Sequence, residues 1–424
     1  MSKTPEDLYK ERAKRVDDVI NLRLPDRIPI IPSAQFFPFK YTGITVEEGM
    51  YDYNKAYEAW EKWLVDFEID DECTGPCTNS GIVYEYLNYK QLRWPGHGSS
   101  SAASHEFVEP GQILEGHQVY EPMSAEEYDW FLDDPSDYMI RSYFPKIFNA
   151  LEPLRNLPPI HGVISWYQGI FDILATIASP EFIGAFEAIS KASAEALVWF
   201  NSSQKFIDRI SKLGYPIFAF AISHAPYDVI ANFLRGTQGA MIDMYRNPDK
   251  LLQACDKITP WMIKAGIDGA KATCNPIVQI YLHKGFEGLM SENQFKTFYW
   301  PTLKKVVMGL IDEGLIPLVY TEGDYTSRLE IIKDVPRGKV IFHIEKDLFK
   351  AKEVLGNIAC LKGGPPNSLL CTGTPDEVKD YCKKLISVVG KDGGYILDTA
   401  APMSNEDPRN VKTMIDFFKK YGVY

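Results

Sequence analysis

The sequence predicts a single (β/α)8 barrel, and three observations predict it. From about residue 160 onward, short apolar runs alternate with helical patterns of ten or more residues, as parallel βαβ units require. Seven such runs follow residue 160 and another lies at 28–31, roughly the eight of a closed barrel. No Gly-x-Gly-x-x-Gly follows an early run and no Walker-type Gly-Lys-Ser/Thr occurs, which argues against a doubly wound nucleotide-binding sheet.

The bulk composition fits this reading. The 424 residues are 45% hydrophobic, enough for a substantial core, and barrels with insertions reach this length as one domain. The net charge of −12, without a basic block, excludes nucleic acid and anionic membrane as natural partners. Seven cysteines without framework spacing suit a reduced, cytoplasmic chain. The polar start, Met1-Ser-Lys-Thr-Pro-Glu-Asp7, lacks a signal peptide's apolar core, and no run approaches the ~20 apolar residues that span a bilayer.

In chain order, residues 4–22 read as an amphipathic helix broken by Leu24-Pro-Asp-Arg-Ile-Pro29, and 28–31 as a first strand. Helical spacing returns over 52–67, completing an N-terminal helical extension through residue 70. Residues 71–125, rich in Gly, Ser, Pro and Tyr, read as a long insertion with short hairpins that covers the site. Strands are then predicted at 160–165, 217–222, 277–282, 316–320, 339–343, 358–362 and 394–398, with helices between them and a last helix over 408–421.

Active sites of parallel barrels lie where strand carboxyl ends converge. The run 316–320 leads into Tyr320-Thr-Glu322-Gly-Asp324, and the next ends at His343, with Glu345 and Asp347 beyond. Glu322 and His343 are candidate metal donors; the alternatives are a helix cap or paired acid and a core histidine. Asp398 ends the last strand and is either a third donor or a turn cap. Asp324 reads as the cap of the following helix. Tyr320 is a proton donor to a leaving oxygen, a substrate contact that stacks on a ring, or a packed core ring. His224 and His283, also at strand ends, are candidates to touch substrate or complete a metal shell, or are structural histidines. Cys73 and Cys77 lack a second pair and read as structural thiols, as does Cys371. His97, His105 and His117 in the insertion fit no metal spacing.

Several phrases resemble the uroporphyrinogen decarboxylase superfamily. They are Leu24-Pro-Asp-Arg-Ile-Pro29, Trp94-Pro-Gly-His-Gly98, Leu234-Arg-Gly236 with Asp243 and Pro248, and Leu289-Met-Ser291 with Phe295 and Pro301. Gly363-Gly-Pro-Pro366, Gly373-Thr-Pro-Asp-Glu-Val378 and Gly393-Gly-Tyr-Ile-Leu397 complete the series. The resemblance implies a (β/α)8 barrel with its site in the carboxyl-end cleft. That superfamily contains decarboxylases, whose Arg-Gln-Ala-Gly-Arg-Tyr phrase holds tetrapyrrole carboxylates. The corresponding stretch here, Pro32-Ser-Ala-Gln-Phe-Phe-Pro-Phe39, has no arginine. Only Arg235 and Arg328 belong to segments near the rim.

The corrinoid-dependent methyltransferase branch carries a zinc site written His-x-Cys-Gly plus a late cysteine. Here Tyr320-Thr-Glu322-Gly323 stands in that place, and the late position falls near Ala400 or Ala401. Oxygen and nitrogen donors suit a Lewis-acid zinc that activates an ether oxygen rather than a thiol. The resemblance therefore implies an O-demethylase that moves a methyl group from a methoxylated aromatic to the Co(I) corrinoid of a separate partner protein. A decarboxylase or lyase, or a methyltransferase for a non-aromatic donor, is the alternative. A homodimer is compatible with this reading.

Overall fold

The structure is a computed structural model that describes residues 3–71, 78–99, 101–114, 116–165 and 168–424. Cys73 and Cys77 lie outside the described residues. Six strands form one all-parallel sheet: β1 (Ala221–His224), β2 (Ile277–Leu282), β3 (Ile316–Thr321), β4 (Ile341–Ile344), β5 (Cys360–Gly363) and β6 (Tyr395–Leu397). Each pairs with its sequence neighbour. Their near-continuous burial is what a strand covered on both faces requires.

Two short extended segments complete the eight positions. Residues 28–31 run parallel to β6: Ile31 N–H donates to Leu397 O at 2.9 Å and Leu397 N–H to Pro29 O at 2.8 Å. Residues 69–71 follow, joined by Asp70 N–H to Ile30 O at 2.9 Å. The architecture is a (β/α)8 barrel, as the sequence predicts, but one strand is placed differently. Residues 160–165 form a 3-10 helix, not a strand. Pro158-Pro159 and Gly162 favour a turn there; Gly162 N–H donates to Pro159 O at 3.0 Å, and Ile164 is 88% exposed. A barrel strand cannot leave its apolar side chains in water.

Helix α1 (Pro5–Ile20), capped by a Thr4–Asp7 box, closes the amino-terminal mouth of the barrel. Its Val16, Val19 and Ile20 pack against Ile31, Phe218, Ile277, Leu318, Ile341, Cys360 and Ile396. The Pro-Asp-Arg phrase at 25–27 ties this end together. Asp70, 1% exposed, accepts from Arg15 at 2.6 Å, from Arg27 at 2.7 Å and from Ile30 N–H at 2.7 Å; Asp26 also accepts from Arg15. These charge-assisted bonds let an aspartate occupy a barrel position.

Helix α2 (Tyr53–Phe67) buries Trp60, Trp63 and Phe67. Between 78 and 212 the chain leaves the barrel through short strands and turns and returns through α3 (Gly169–Ile177) and the long α4 (Pro180–Lys212). The remaining helices follow the expected alternation, among them α5 (Gly236–Arg246), α6 (Pro248–Thr273), α7 (Trp300–Asp312) and α8 (Pro408–Tyr421). Among the described residues no single helix is long and apolar enough to cross a membrane.

Candidate active site at the carboxyl end of the barrel

Strand register stacks the inward side chains in layers. Leu318, Ile341 and Cys360 are level and apolar. One level up, Tyr281, Tyr320, His343 and Lys362 are level with one another. Two residues further along their chains come His283, Glu322 and Glu345, at the mouth.

The middle layer is closed from solvent. His343 is 2% exposed and lies under the Tyr320 ring at 4.4 Å. Its Nε2 donates to Thr399 O at 3.0 Å and lies 3.5 Å from Asp398. Burial and the nearby Lys362 ammonium hold this imidazole neutral. Asp398 is fully buried and its oxygens are all engaged. Oδ1 accepts from Ser33 N–H and Thr399 N–H, both at 2.6 Å, and Oδ2 accepts from the Ser33 hydroxyl at 2.7 Å and from Lys362. Gly364 presses on Asp398 so closely that a Cβ there would lie 1.7 Å from its carbonyl oxygen, which explains the glycine.

The mouth holds an open cleft of about 500 Å³ lined by Phe107, Glu109, Asn232, Phe233, His283, Lys284, Phe286, Glu322, Gly323 and Glu345. His283 Nε2 lies 3.3 Å from Glu322 Oε2, and the Asn232 amide meets its Nδ1 at 2.5 Å. The segment carrying His283 is fixed from behind by the buried Asp228, which accepts from His283 N–H at 2.7 Å, Lys284 N–H at 3.1 Å and Tyr299 O–H at 2.7 Å. The Glu322 side chain is half exposed at the mouth; desolvation of its carboxyl within the cleft raises it above its ordinary range, and the Glu345 charge raises it further. Burial pushes His283 down to about 4, with His224 and Lys284 adding to it. His224, half-buried beside His283 with ring centroids 6.2 Å apart, is also pushed to about 4 by desolvation of its ring, and its Nδ1 has no hydrogen-bond partner. Glu345 accepts from Gly323 N–H at 2.8 Å and from Tyr320 O–H at 3.3 Å. Gly323 has φ +96°, and a Cβ there would meet Phe286 at 3.1 Å, so this turn needs glycine.

The expected residues are thus partly gathered and partly separated. Glu322 and His283 meet in the cleft. His343 and Asp398 lie a layer below it: the partner of Glu322 is His283, and the residue level with it on β4 is Glu345. Asp398 has no oxygen left for a metal. Tyr320 positions Glu345 and does not line the cleft; burial and the neighbouring carboxylates raise its phenol, keeping it neutral. Asp324 caps its turn by accepting from Thr326 N–H at 3.0 Å. His97 stacks on Trp94 and pairs with Glu85 at 2.9 Å, and His105 packs edge-on against Phe36, so neither joins the mouth. His117, on a short exposed hairpin, is not a lining residue.

Arg235 is paired with Asp243 at 2.6 Å, and the buried Arg328 donates to Met290 O at 2.6 Å. Neither lines the cleft. The described lining contains no arginine, and its Lys284 is tied to Glu109. Phe107 and Glu109, from the insertion, and Asn232, on the segment after β1, line the cleft, and Asp228 supports it from behind; none of the four is a candidate on the sequence alone. Asp228 carried a faint signal, a lone acid two residues after the proline that opens the helix behind His224.

Zinc takes nitrogen and oxygen donors of the kinds His224, His283 and Glu322 supply, and two neutral imidazoles with one orphaned buried nitrogen suit it. Among the described residues, no three His, Cys, Asp or Glu side chains are gathered closely enough to hold a metal as they stand. The donor types fit; a bound ion would have to draw the three together.

Residues 204–421 match the family described as uroporphyrinogen decarboxylase (URO-D). A solved methyltransferase from Methanosarcina mazei shares the fold over 99% of both chains, with a TM-score of 0.56 at 14% identity. A B12-independent methionine synthase from Shewanella sp. W3-18-1, solved with selenomethionine, covers 50% of this chain and 64% of its own at 12% identity, and its TM-score of 0.32 carries no argument. No curated protein matches the chain.

Proposed function

The chain belongs to the uroporphyrinogen decarboxylase (URO-D) family, and from that premise we propose that its mouth cleft transfers a methyl group from a methoxylated aromatic to the Co(I) corrinoid of a partner protein. The observation that carries this reading is the pairing of an aromatic wall, Phe107, Phe233 and Phe286, with the His283–Glu322 pair, in a lining whose described residues include no arginine. A polycarboxylate substrate would need cations that this cleft does not offer. A flat ring has faces to stack on: Phe107 and Phe233 meet edge to face at 5.7 Å.

In the proposed reaction the O–CH3 bond breaks as a Co–CH3 bond forms on the acceptor, and the electron pair stays with the oxygen. Glu322, its carboxyl raised by desolvation and by the Glu345 charge, donates a proton to that departing oxygen. His283 is held neutral and oriented by Asn232 and by its own backbone N–H on Asp228, and it fixes the Glu322 carboxyl. Zinc, when bound, would be held by His224, His283 and a deprotonated Glu322, and would supply Lewis-acid activation of the ether oxygen in place of the Glu322 proton.

The test mixes the purified chain with a corrinoid protein reduced to Co(I) and a panel of methoxylated benzoates, glycine betaine and methylamines, following the methyl-Co(III) absorbance. Methylation from the methoxylated aromatics is expected, with loss on His283→Ala. Transfer only from a non-aromatic donor, or none from any, contradicts the reading.

A further inference from the structure

We propose that the outward face of α4 is a self-association surface on which a second copy of this chain packs its own α4 in antiparallel orientation. One stripe of this 33-residue helix is buried, through Phe182, Ala185, Ala192, Ser203, Phe206 and Ile210. Beside it runs a second stripe, Ile183, Phe186, Ser190, Ser193, Leu197 and Phe200, at alternating spacings of three and four. That is the seam pattern by which one helix packs on another. Nothing in the described structure covers it: Ile183 is 48% exposed, Phe186 45%, Leu197 64% and Phe200 61%. No charged residue lies in the seam between 183 and 200.

The seam is complementary to itself. The same spacing continues through Gln204 and Ile207; laid antiparallel on a copy so that its two kinds of layer alternate, Ser193 faces Leu197, Ser190 faces Phe200, Phe186 faces Gln204 and Ile183 faces Ile207. Each small side chain meets a large one, and a two-fold axis repeats every contact, as an isologous interface requires. An apolar cavity of about 470 Å³ opens beside the seam, between Phe186 and Ser193 on one wall and Phe144, Phe148 and Leu151 on the other.

The area is sufficient. With Phe171 and Leu174 of α3, which are 65% and 48% exposed, the four large seam residues make six apolar side chains between 45% and 65% exposed. At roughly 100 Å² each they present about 600 Å², against the roughly 500 Å² of apolar surface in the ~800 Å² that a standard interface takes from one partner. A lipid surface is the poorer occupant, because α3 and α4 meet at 78° and neither spans a bilayer alone.

Sedimentation velocity on the full chain at micromolar concentration tests this. The expected mass is twice 48.1 kDa, falling to a monomer in the Leu197→Glu, Phe200→Glu double variant with unchanged circular dichroism. The Ser190→Cys, Phe200→Cys double variant is expected to give a covalent dimer on oxidation that wild type does not. A monomeric wild type overturns the proposal, as does a dimer that survives the glutamate substitutions. Two further results also overturn it: failure of the cysteine pair to cross-link in a dimeric sample, and phosphatidylglycerol vesicle binding by a monomer that is abolished by Leu197→Glu, Phe200→Glu.

Discussion

Lys362→Met removes the ammonium from a barrel interior in which both it and Asp398 are fully buried. Methionine keeps the length and apolar stem of the side chain, so the variant is expected to change charge rather than packing. What remains is a carboxylate hydrogen-bonded by Ser33 and Thr399, each through its N–H and its hydroxyl, with no counter-charge. Breaking one partner of a buried pair costs about 3–5 kcal/mol. At roughly 2.1 cal/mol/K per residue, the chain's unfolding entropy is about 0.9 kcal/mol/K, so this cost lowers the melting temperature by about 3–6 °C. Adding Asp398→Asn removes the orphaned charge, and the double variant should recover at least half of the loss. Scanning calorimetry on the two single variants and the double reads this directly. A Lys362→Met protein that melts with wild type, or a double variant worse than the sum of the singles, refutes the reasoning.

Three further outcomes are expected. His224 and His283 titrate near 4 when folded, against 6.5 for an ordinary imidazole, so the unfolded chain binds more protons between those values. Their contribution to stability is therefore whole above pH 6.5 and lost as pH falls through 4; urea midpoints should drop over that window, and less steeply in His224→Phe. Gly323→Ala forces a β-carbon into a turn at φ +96° and against Phe286, which should cost about 1–3 kcal/mol by denaturant titration and raise KM for an aromatic donor. Asp228→Ala strips the acceptor from two backbone N–H groups and the Tyr299 hydroxyl. It should lower stability by about 2–4 kcal/mol and reduce transfer together with it; an equally stable and active variant contradicts the positioning role of Asp228.

Much of the barrel was legible because its strands are buried on both faces and read as unbroken apolar runs, as at 277–282 and 316–320. The second barrel position was not, because Ile69-Asp-Asp71 carries two acids. Asp70 is tolerated there through Arg15, Arg27 and the Ile30 N–H, all from segments far from it in sequence. The opposite error arose at 160–165, where apolar residues face solvent in a proline-led 3-10 turn. At the site, the strand ends were the right place to look, and Glu322 and His283 were both visible there. Their pairing was not, because it depends on register: Tyr320 is level with His343, so Glu322 is level with Glu345, and His343 falls beneath the cleft. The aromatic wall was hidden for a different reason: Phe107 comes from the insertion, whose path over the barrel leaves no periodic trace.

The central claim is that Glu322 delivers a proton to the departing oxygen, and its dependence on the leaving group tests this most directly. Single-turnover methylation of the Co(I) corrinoid protein is compared for wild type and Glu322→Gln across methoxylated aromatics whose phenols differ in acidity. If Glu322 is the acid, the variant loses about 10²–10⁴-fold on donors that release a basic phenolate and far less on those that release an acidic nitrophenolate. An equal loss across the series, or no loss at all, would contradict the account.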